Sequence, residues 1–232
     1  MRLLRVLSAN LARGREHAAS FAGMARALEA DVVAVQELAE EQAQALAAVF
    51  PFGVLQVRPH RMGIALRNPG SVRRVTLAGR DAYVAEVNVL PSGGVIEVVN
   101  AHIVAPHVGL PWKIAALRRR QVDDLETYLR RSGETPLILI GDLNSTPLSP
   151  AYRRLSKFLT DAAIEVARLK GRRPRRTWGL WYGPRLLRID HVLVRGVSIV
   201  NVEVHRLARS DHSAVVIDVR IGASSRSRSL MT

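Results

Sequence analysis

Hydrophobic residues repeat with two different periods along the chain, and the switches between them mark its elements. Residues 2–9 are an apolar run of buried-strand character, and 16–29 place Phe21, Met24, Ala25 and Leu28 at helical spacing. The β-branched run 31–37, Asp-Val-Val-Ala-Val-Gln-Glu, predicts a strand ending in a carboxylate, and 39–49 predicts a second helix. Strands follow at 53–58, 62–67, 71–78, 82–90 and 94–103, with Pro91-Ser-Gly-Gly94 as a hairpin turn between the last two. A long helix is expected over 112–131, a strand over 136–141 that runs into Gly-Asp-Leu-Asn, and a short helix over 149–157. The last strands are expected at 188–194, 198–206 and 213–221. Two helical segments thus accompany each of two strand-rich halves. That order predicts an α/β protein built as a four-layered α/β/β/α sandwich, two packed sheets flanked by helices.

Composition adds limits to this picture. With 232 residues and 48% hydrophobic content, the chain can build one sizeable core, and no linker or internal repeat divides it. A single domain over 1–222 is expected, followed by a polar, low-complexity tail over 223–232 that reads as disordered. The absence of cysteine excludes disulfides, thiolate metal sites and a cysteine nucleophile. No apolar run approaches the roughly 18 residues of a membrane span, and the start of the chain is too broken for a secretory signal. A cytoplasmic monomer without a membrane partner is the corresponding expectation. The formal net charge of +14, carried almost entirely by arginine with lysine only at 113, 157 and 170, points to a polyanionic partner. An arginine-rich composition throughout the proteome would give the same count.

The polar residues that end the strands carry the chemistry. Asn10 ends the first strand and Glu37, after Gln36, the second. His102 ends Ile-Glu-Val-Val-Asn-Ala-His, and Asp142 and Asn144 end Leu-Ile-Leu-Ile-Gly-Asp-Leu-Asn. Asp190 and His191 lie in Leu-Arg-Ile-Asp-His-Val, and Asp211 and His212 follow Ser210 before the final strand. Any one of these residues could serve only to form a turn. Six such strand ends in one chain are more than turns require, because strand ends in layered α/β proteins meet at one rim, where sites are built.

These pieces, Ser-Ala-Asn10, Gln36-Glu37, Asn100-Ala-His102, Gly141-Asp142-Leu-Asn144, Asp190-His191 and Ser210-Asp211-His212, resemble the endonuclease/exonuclease/phosphatase superfamily of deoxyribonuclease I-like enzymes, in order and over nearly the whole chain. The resemblance implies the four-layered sandwich, a bound Mg²⁺ (or Mn²⁺) and phosphoester hydrolysis. It implies Glu37 as principal metal ligand with Asn10 and Asp211 beside it. Asp142 and Asn144 would position and deprotonate the attacking water. His212, oriented by Asp190, would contact the scissile phosphate, and His102 would donate to the phosphate or leaving group. Hard oxygen donors such as these suit Mg²⁺ on chemical grounds alone. Two departures tell against an abasic-site endonuclease: Ala12 stands where those relatives carry an Asp, and Asn100-Ala-His102 replaces their Asn-Tyr-x-Pro. His60 and Arg61 occupy the place where many relatives carry a Glu or Tyr, which leaves the partner of His102 open.

The stretch Arg172, Arg173, Arg175, Arg176 and Trp178, followed by Trp181, Tyr182 and Arg185, interleaves cations with aromatics. It reads as a nucleic-acid arm, with guanidinium groups on phosphates and rings on bases, or else as a solvated loop with Trp178 in the core. Arg118 and Gln121 on the long helix match a family pattern, but a solvated face with i,i+4 pairs to Asp123, Asp124 and Glu126 is the preferred reading of that helix. The resulting expectation is a metal-dependent phosphodiester hydrolase, a nuclease acting on DNA. The alternatives are a phosphatase or phosphodiesterase acting on a small-molecule or lipid headgroup, and a non-catalytic nucleic-acid-binding module on a degenerate scaffold.

Overall fold

The structure is a computed structural model that describes residues 3–88, 94–180 and 183–220. The hairpin turn expected at Pro91-Ser-Gly-Gly94, the aromatics Trp181 and Tyr182, and the polar tail therefore fall wholly or largely outside the described residues. The first half runs β1 (Leu3–Asn10), α1 (Ala18–Ala27), β2 (Val32–Gln36), α2 (Glu40–Ala47), β3 (Phe52–Gln56), β4 (Met62–Leu66), β5 (Ser71–Leu77), β6 (Arg80–Asn88) and β7 (Val95–Asn100). The second half runs α3 (Pro111–Arg131), β8 (Leu137–Asp142), α4 (Pro150–Leu155), β9 (Thr160–Asp161), α5 (Ala162–Leu169), β10 (Trp178–Gly179), β11 (Arg185–Leu187), β12 (Asp190–Arg195), β13 (Ser198–Arg206) and β14 (Ser213–Arg220). The pattern-based boundaries agree with these to a few residues. The elements it does not predict are short: α5, β9 and the β10–β11 ribbon.

One sheet has the order β13-β14-β1-β2-β4-β3 and the other β5-β6-β7-β8-β12-β9. Alternation along each strand divides the side chains between layers. On β1, Leu4 and Val6 enter the core between the sheets, together with Val32, Ile64, Val98, Ile140, Val192 and Ile217. Leu7 and Ala9 face the other way, against Phe21 and Ala25 of α1 and Leu46 of α2. On the second sheet Val84, Val99, Leu139 and Leu193 pack outward against Val122, Leu125 and Leu129 of α3 and Leu155 of α4. The layers are therefore helix, sheet, sheet, helix, as the sequence pattern predicts. Helix α5 departs from that scheme: Ala162 and Val166 plug the core between the sheets beside β13.

The β9–α5 junction is held by a buried charge cluster. Asp161 caps α5 by accepting from the Ile164 backbone N–H (3.0 Å), and its second oxygen accepts from Arg188 (2.7 Å) and the Tyr152 hydroxyl (2.6 Å). Arg188 also reaches His191 Nδ1 at 3.2 Å, and His191 Nε2 lies 2.6 Å from the Ser145 carbonyl. Burial by itself would raise the Asp161 pKa, but the His191 ring, the Arg188 guanidinium and the Tyr152 hydroxyl outweigh it and hold the carboxyl below the usual carboxylate range. A depressed folded-state pKa contributes stability above the unfolded value, about 3.9, and loses it as the pH falls through the folded value. Asp161→Asn, which keeps the helix cap, should lower unfolding free energy at neutral pH by about 3 kcal/mol because Arg188 is left without its buried counter-charge. Denaturant titrations of the two proteins should show that gap closing only below about pH 4. An equal gap at pH 7 and pH 3 would mean that the carboxylate charge contributes nothing.

Candidate active site

The strand ends do meet. Asn10 closes β1, and its register partner on β2 is Gln36, so Glu37 leaves the sheet directly beside it. Asp190 opens β12 opposite Asp142, the last residue of β8. Asn100 closes β7 opposite Ile140, which sets His102 next to Asp142. The final piece is local: the Ser210 hydroxyl donates to the Asn10 carbonyl (2.8 Å) and accepts the His212 N–H (3.1 Å), so the Ser-Asp-His turn folds onto the end of β1.

The backbone around these residues is unusual in the same places. Glu37 (φ 53°), Ala12 (φ 51°) and Asn144 (φ 47°) adopt the left-handed conformation without being glycine. Such residues cost on the order of 1 kcal/mol or more each and persist where surroundings over-determine them, commonly at sites. Gly141 has φ 138°, and a Cβ placed there would meet the Ala101 carbonyl oxygen at 2.1 Å. The Gly of Gly-Asp-Leu-Asn is thus required to bring β8 against β7 just before Asp142.

Asp142 is the centre of the cluster. It is buried, and Oδ1 accepts from the Asn144 backbone N–H (2.8 Å) while Oδ2 accepts from the side-chain amides of Asn144 (3.1 Å) and Asn10 (3.1 Å). His102 Nε2 lies 3.7 Å and His212 Nε2 3.8 Å from the same Oδ2. On the other side of the ring, His212 Nδ1 sits 3.0 Å from each oxygen of Asp190. Asp190 is itself fixed because its backbone N–H donates to the Thr177 hydroxyl (3.1 Å).

The two histidines are driven in opposite directions. Burial alone would lower the His212 pKa, but the Asp190 and Asp142 carboxylates outweigh it and push it well up, so the ring is a cation at neutral pH. His102 is pushed well below the ordinary imidazole value, first by burial and then by the Arg80 guanidinium, so it is neutral. Its Nδ1 is buried with no protein partner. Burial raises the Asp142 carboxyl, with the Asp190 charge adding to it.

The oxygen-rich donor set fits a hard divalent cation. Asp142, Asp190 and His212 place ligand atoms within 4.8 Å of one another, but the His212–Asp190 pair already satisfies itself. Glu37 has a partly exposed carboxylate whose nearby cation, Arg13, stands at 3.5 Å. Asp211 gives one oxygen to the Trp178 indole N–H (2.9 Å), which leaves the other. Asn10 Oδ1 accepts from the Ala12 backbone N–H (3.0 Å) and keeps a second lone pair. Glu37, Asn10 and Asp211 each carry an oxygen that could serve a hard cation, at segments that adjoin Asp142.

The basic arm divides. Arg172, Arg173, Arg175 and Arg176 are exposed on the loop between α5 and β10. Trp178 is partly buried and bound to Asp211. Arg185 donates to the carbonyls of Ser210 (2.9 Å) and His212 (2.8 Å) and to the Ser213 hydroxyl (2.9 Å), so it fixes the Ser-Asp-His turn from within. Arg118 is likewise not on a solvated face. It donates to the Val104 carbonyl, the Asn144 carbonyl (2.8 Å) and the Ser145 hydroxyl (2.7 Å), and it thereby clamps the loops after His102 and Asp142 together. Gln121 is buried below it and accepts from the Val104 N–H (3.0 Å). Arg80, which reaches the His102 carbonyl at 3.4 Å, carries no signal in the sequence pattern.

Comparison with known proteins agrees with this fold. The model of the Endonuclease/Exonuclease/phosphatase family matches residues 7–212. Nocturnin of Drosophila melanogaster is 36% identical over 72 residues, a match spanning 31% of this chain and 11% of nocturnin. Among solved structures, an endonuclease/exonuclease/phosphatase from Bacteroides vulgatus superposes with a TM-score of 0.76 at 19% identity, covering 96% of this chain and 100% of the other. A D. rerio TDP2 humanized by 14 mutations (TM-score 0.70, 18% identity, 94% and 99% covered) and sphingomyelinase C from Streptomyces griseocarneus (0.68, 18%, 94% and 99%) share the fold. The chain belongs to the endonuclease/exonuclease/phosphatase family of divalent-metal-dependent phosphoesterases.

Proposed function

We propose that this protein hydrolyses phosphodiesters by in-line attack of water, and that its substrate is a phosphorylated headgroup in preference to DNA. The observation that carries the chemistry is the His212 ring, held between both oxygens of Asp190 and facing the buried Asp142. Mg²⁺ or Mn²⁺ at Glu37, Asn10 and Asp211 would supply charge neutralisation at a phosphate oxygen. Asp142, steadied by the two asparagine amides, orients the attacking water and takes its proton; burial makes it a stronger base than an exposed carboxylate. His212, cationic beside Asp190, donates to a phosphate oxygen as charge builds in the transition state. His102 is neutral and keeps one ring N–H to donate toward the phosphate or the leaving oxygen.

What supports the headgroup reading is the use made of the arm. Trp178 and Arg185, expected to stack on bases and bind phosphates, instead hold Asp211 and the Ser210–Ser213 turn. The nuclease reading keeps a specific observation of its own, the net charge of +14 with Arg172, Arg173, Arg175 and Arg176 exposed.

Three outcomes follow. Chelation by EDTA should abolish turnover and added Mg²⁺ or Mn²⁺ should restore it, while Glu37→Ala should lose orders of magnitude in activity with its circular dichroism unchanged; full activity of that variant in metal-free buffer would remove the metal from the reaction. Asp142→Asn, His212→Ala and His102→Ala should each lower kcat far more than they raise KM in steady-state assays, with Asp190→Asn milder than His212→Ala. A His102→Ala enzyme with wild-type kcat would make His102 a structural residue. Substrate class is read from salt. Binding to a short labelled DNA should be weak with a shallow log–log salt slope, while a headgroup phosphodiester turns over efficiently. A steep slope that flattens when Arg172, Arg173, Arg175 and Arg176 are changed together to Ser would return the assignment to a nuclease.

A further inference from the structure

The segments that carry the catalytic residues also carry large apolar side chains in solvent. The β7–α3 connection leaves His102 and reaches Val108, Leu110 and, at the start of α3, Trp112, all exposed, with Trp112 at 67%. The β8–α4 connection leaves Asp142 and Asn144 and exposes Leu148 at 77%. The β10–β11 ribbon, tied to Asp211 and His212 through Gly179 and Arg185, exposes Leu180 at 61% with Leu186 and Leu187. Single exposed leucines need no explanation, but their placement on three separate segments that reach the same catalytic centre does.

An apolar groove of about 440 Å³ lies between α3 and α4, walled by Pro106, Pro111, Ile114, Ala115 and Val122. Pro111 stands between Leu110 and Trp112 in the chain, and Ser149, which also lines the groove, follows Leu148. Two of the residues that wall the groove are thus chain neighbours of Leu110, Trp112 and Leu148. Its wall includes Arg118, whose guanidinium holds the Asn144 carbonyl and so ties the groove to the catalytic loop. Exposed cations lie on the same segments of chain: Lys113 and Arg119 on α3, and Arg172, Arg173, Arg175 and Arg176 on the loop that enters the β10–β11 ribbon. Exposed apolar side chains carried on segments that also expose cations are the composition of a surface that seats at the interface of an anionic bilayer.

We propose that the mouth of this cleft docks on a bilayer bearing anionic lipid, with Leu110, Trp112, Leu148 and Leu180 entering the headgroup layer and the cations of the same segments meeting its charge. The phosphoester would then reach Asp142 and His212 from the membrane surface; this rests on the headgroup reading given above. It replaces the expectation of no membrane partner, which rested only on the lack of a spanning segment. Among the described residues no helix is long and apolar enough to cross a membrane, so contact of this kind is peripheral.

The test is co-sedimentation of the full chain with phosphatidylcholine vesicles, with and without about one third phosphatidylglycerol, beside turnover of a soluble reporter phosphodiester. The wild type should pellet with the anionic vesicles and remain largely in the supernatant with the neutral ones. Changing Leu110, Trp112 and Leu148 together to Ser should weaken vesicle binding about tenfold or more while reporter turnover stays at the wild-type level. Should the triple variant fail to fold by circular dichroism, Leu148→Ser and Leu180→Ser singly provide the same comparison with smaller losses. A wild type that does not pellet, or rim variants that bind vesicles as tightly as wild type, overturns the proposal. Rim variants that lose DNA binding but keep vesicle binding overturn it too, in favour of apolar contact with bases. Vesicle binding without reporter turnover leaves the docking surface standing and removes the hydrolase reading instead.

Discussion

Asp142 is a carboxylate buried where two sheets close on each other, and most of the site follows from the ways its charge is accommodated. An unpaired buried carboxylate costs several kcal/mol, so it is tolerated only where donors converge. Here the donors come from both sheets. Asn10 reaches across from β1 of one sheet, and Asn144 folds back from the end of β8 in the other. The same seam is stitched deeper in by Gln36, which donates to Asn100 (2.6 Å), and by Asn100, which donates to the Val35 (3.0 Å) and Gly63 (2.8 Å) carbonyls. Polar links between sheets would be a loss in the middle of the sandwich, where Val6, Ile140 and Val192 pack. At its end they hold two sheets in one relative position and leave a polar floor.

That floor separates the charges of the two imidazoles. His212 is made a cation by the Asp190 and Asp142 carboxylates, which outweigh its burial; His102 is kept neutral first by burial and then by the Arg80 guanidinium. Two identical side chains close to one carboxylate oxygen are thereby given different protonation states, because only one of them has carboxylates enough to offset its burial.

The arginines show how little a charge count says about where charge acts. Arg5 donates to both oxygens of Asp218 and to the Leu28 carbonyl, and Arg195 reaches the Leu129 and Thr135 carbonyls. Arg118, Arg185 and Arg188 serve backbone and buried groups in the same way. The guanidinium fork suits this work because several donors can satisfy loop carbonyls at once. Part of the +14 is therefore used inside the molecule, and the part facing solvent is spread over many segments, the Arg172–Arg176 loop and α3 among them.

The four-layered architecture and the strand-end chemistry were legible in the sequence because both rest on local rules. An apolar run such as 2–9 or 213–221 reads as a buried strand without knowledge of the partner sheet, and a polar residue that ends an aliphatic run is visible as such. Gly141-Asp142-Leu-Asn144 and Ser210-Asp211-His212 carried their order and spacing along the chain. Helix α5 was not legible, since its buried face is completed by β13 rather than by a sheet surface of its own. Nor was the work of Arg80, Arg118 and Arg185, because an arginine bound to carbonyls and one bound to solvent have the same sequence context. Whether Trp178 served a ligand or the fold depended on Asp211, 33 residues away along the chain. Residue type and period determined which groups would stand at the rim of this protein. Only the packing of the two sheets decided which of them touch, because distances between strand ends are set by long-range contacts that no local pattern encodes.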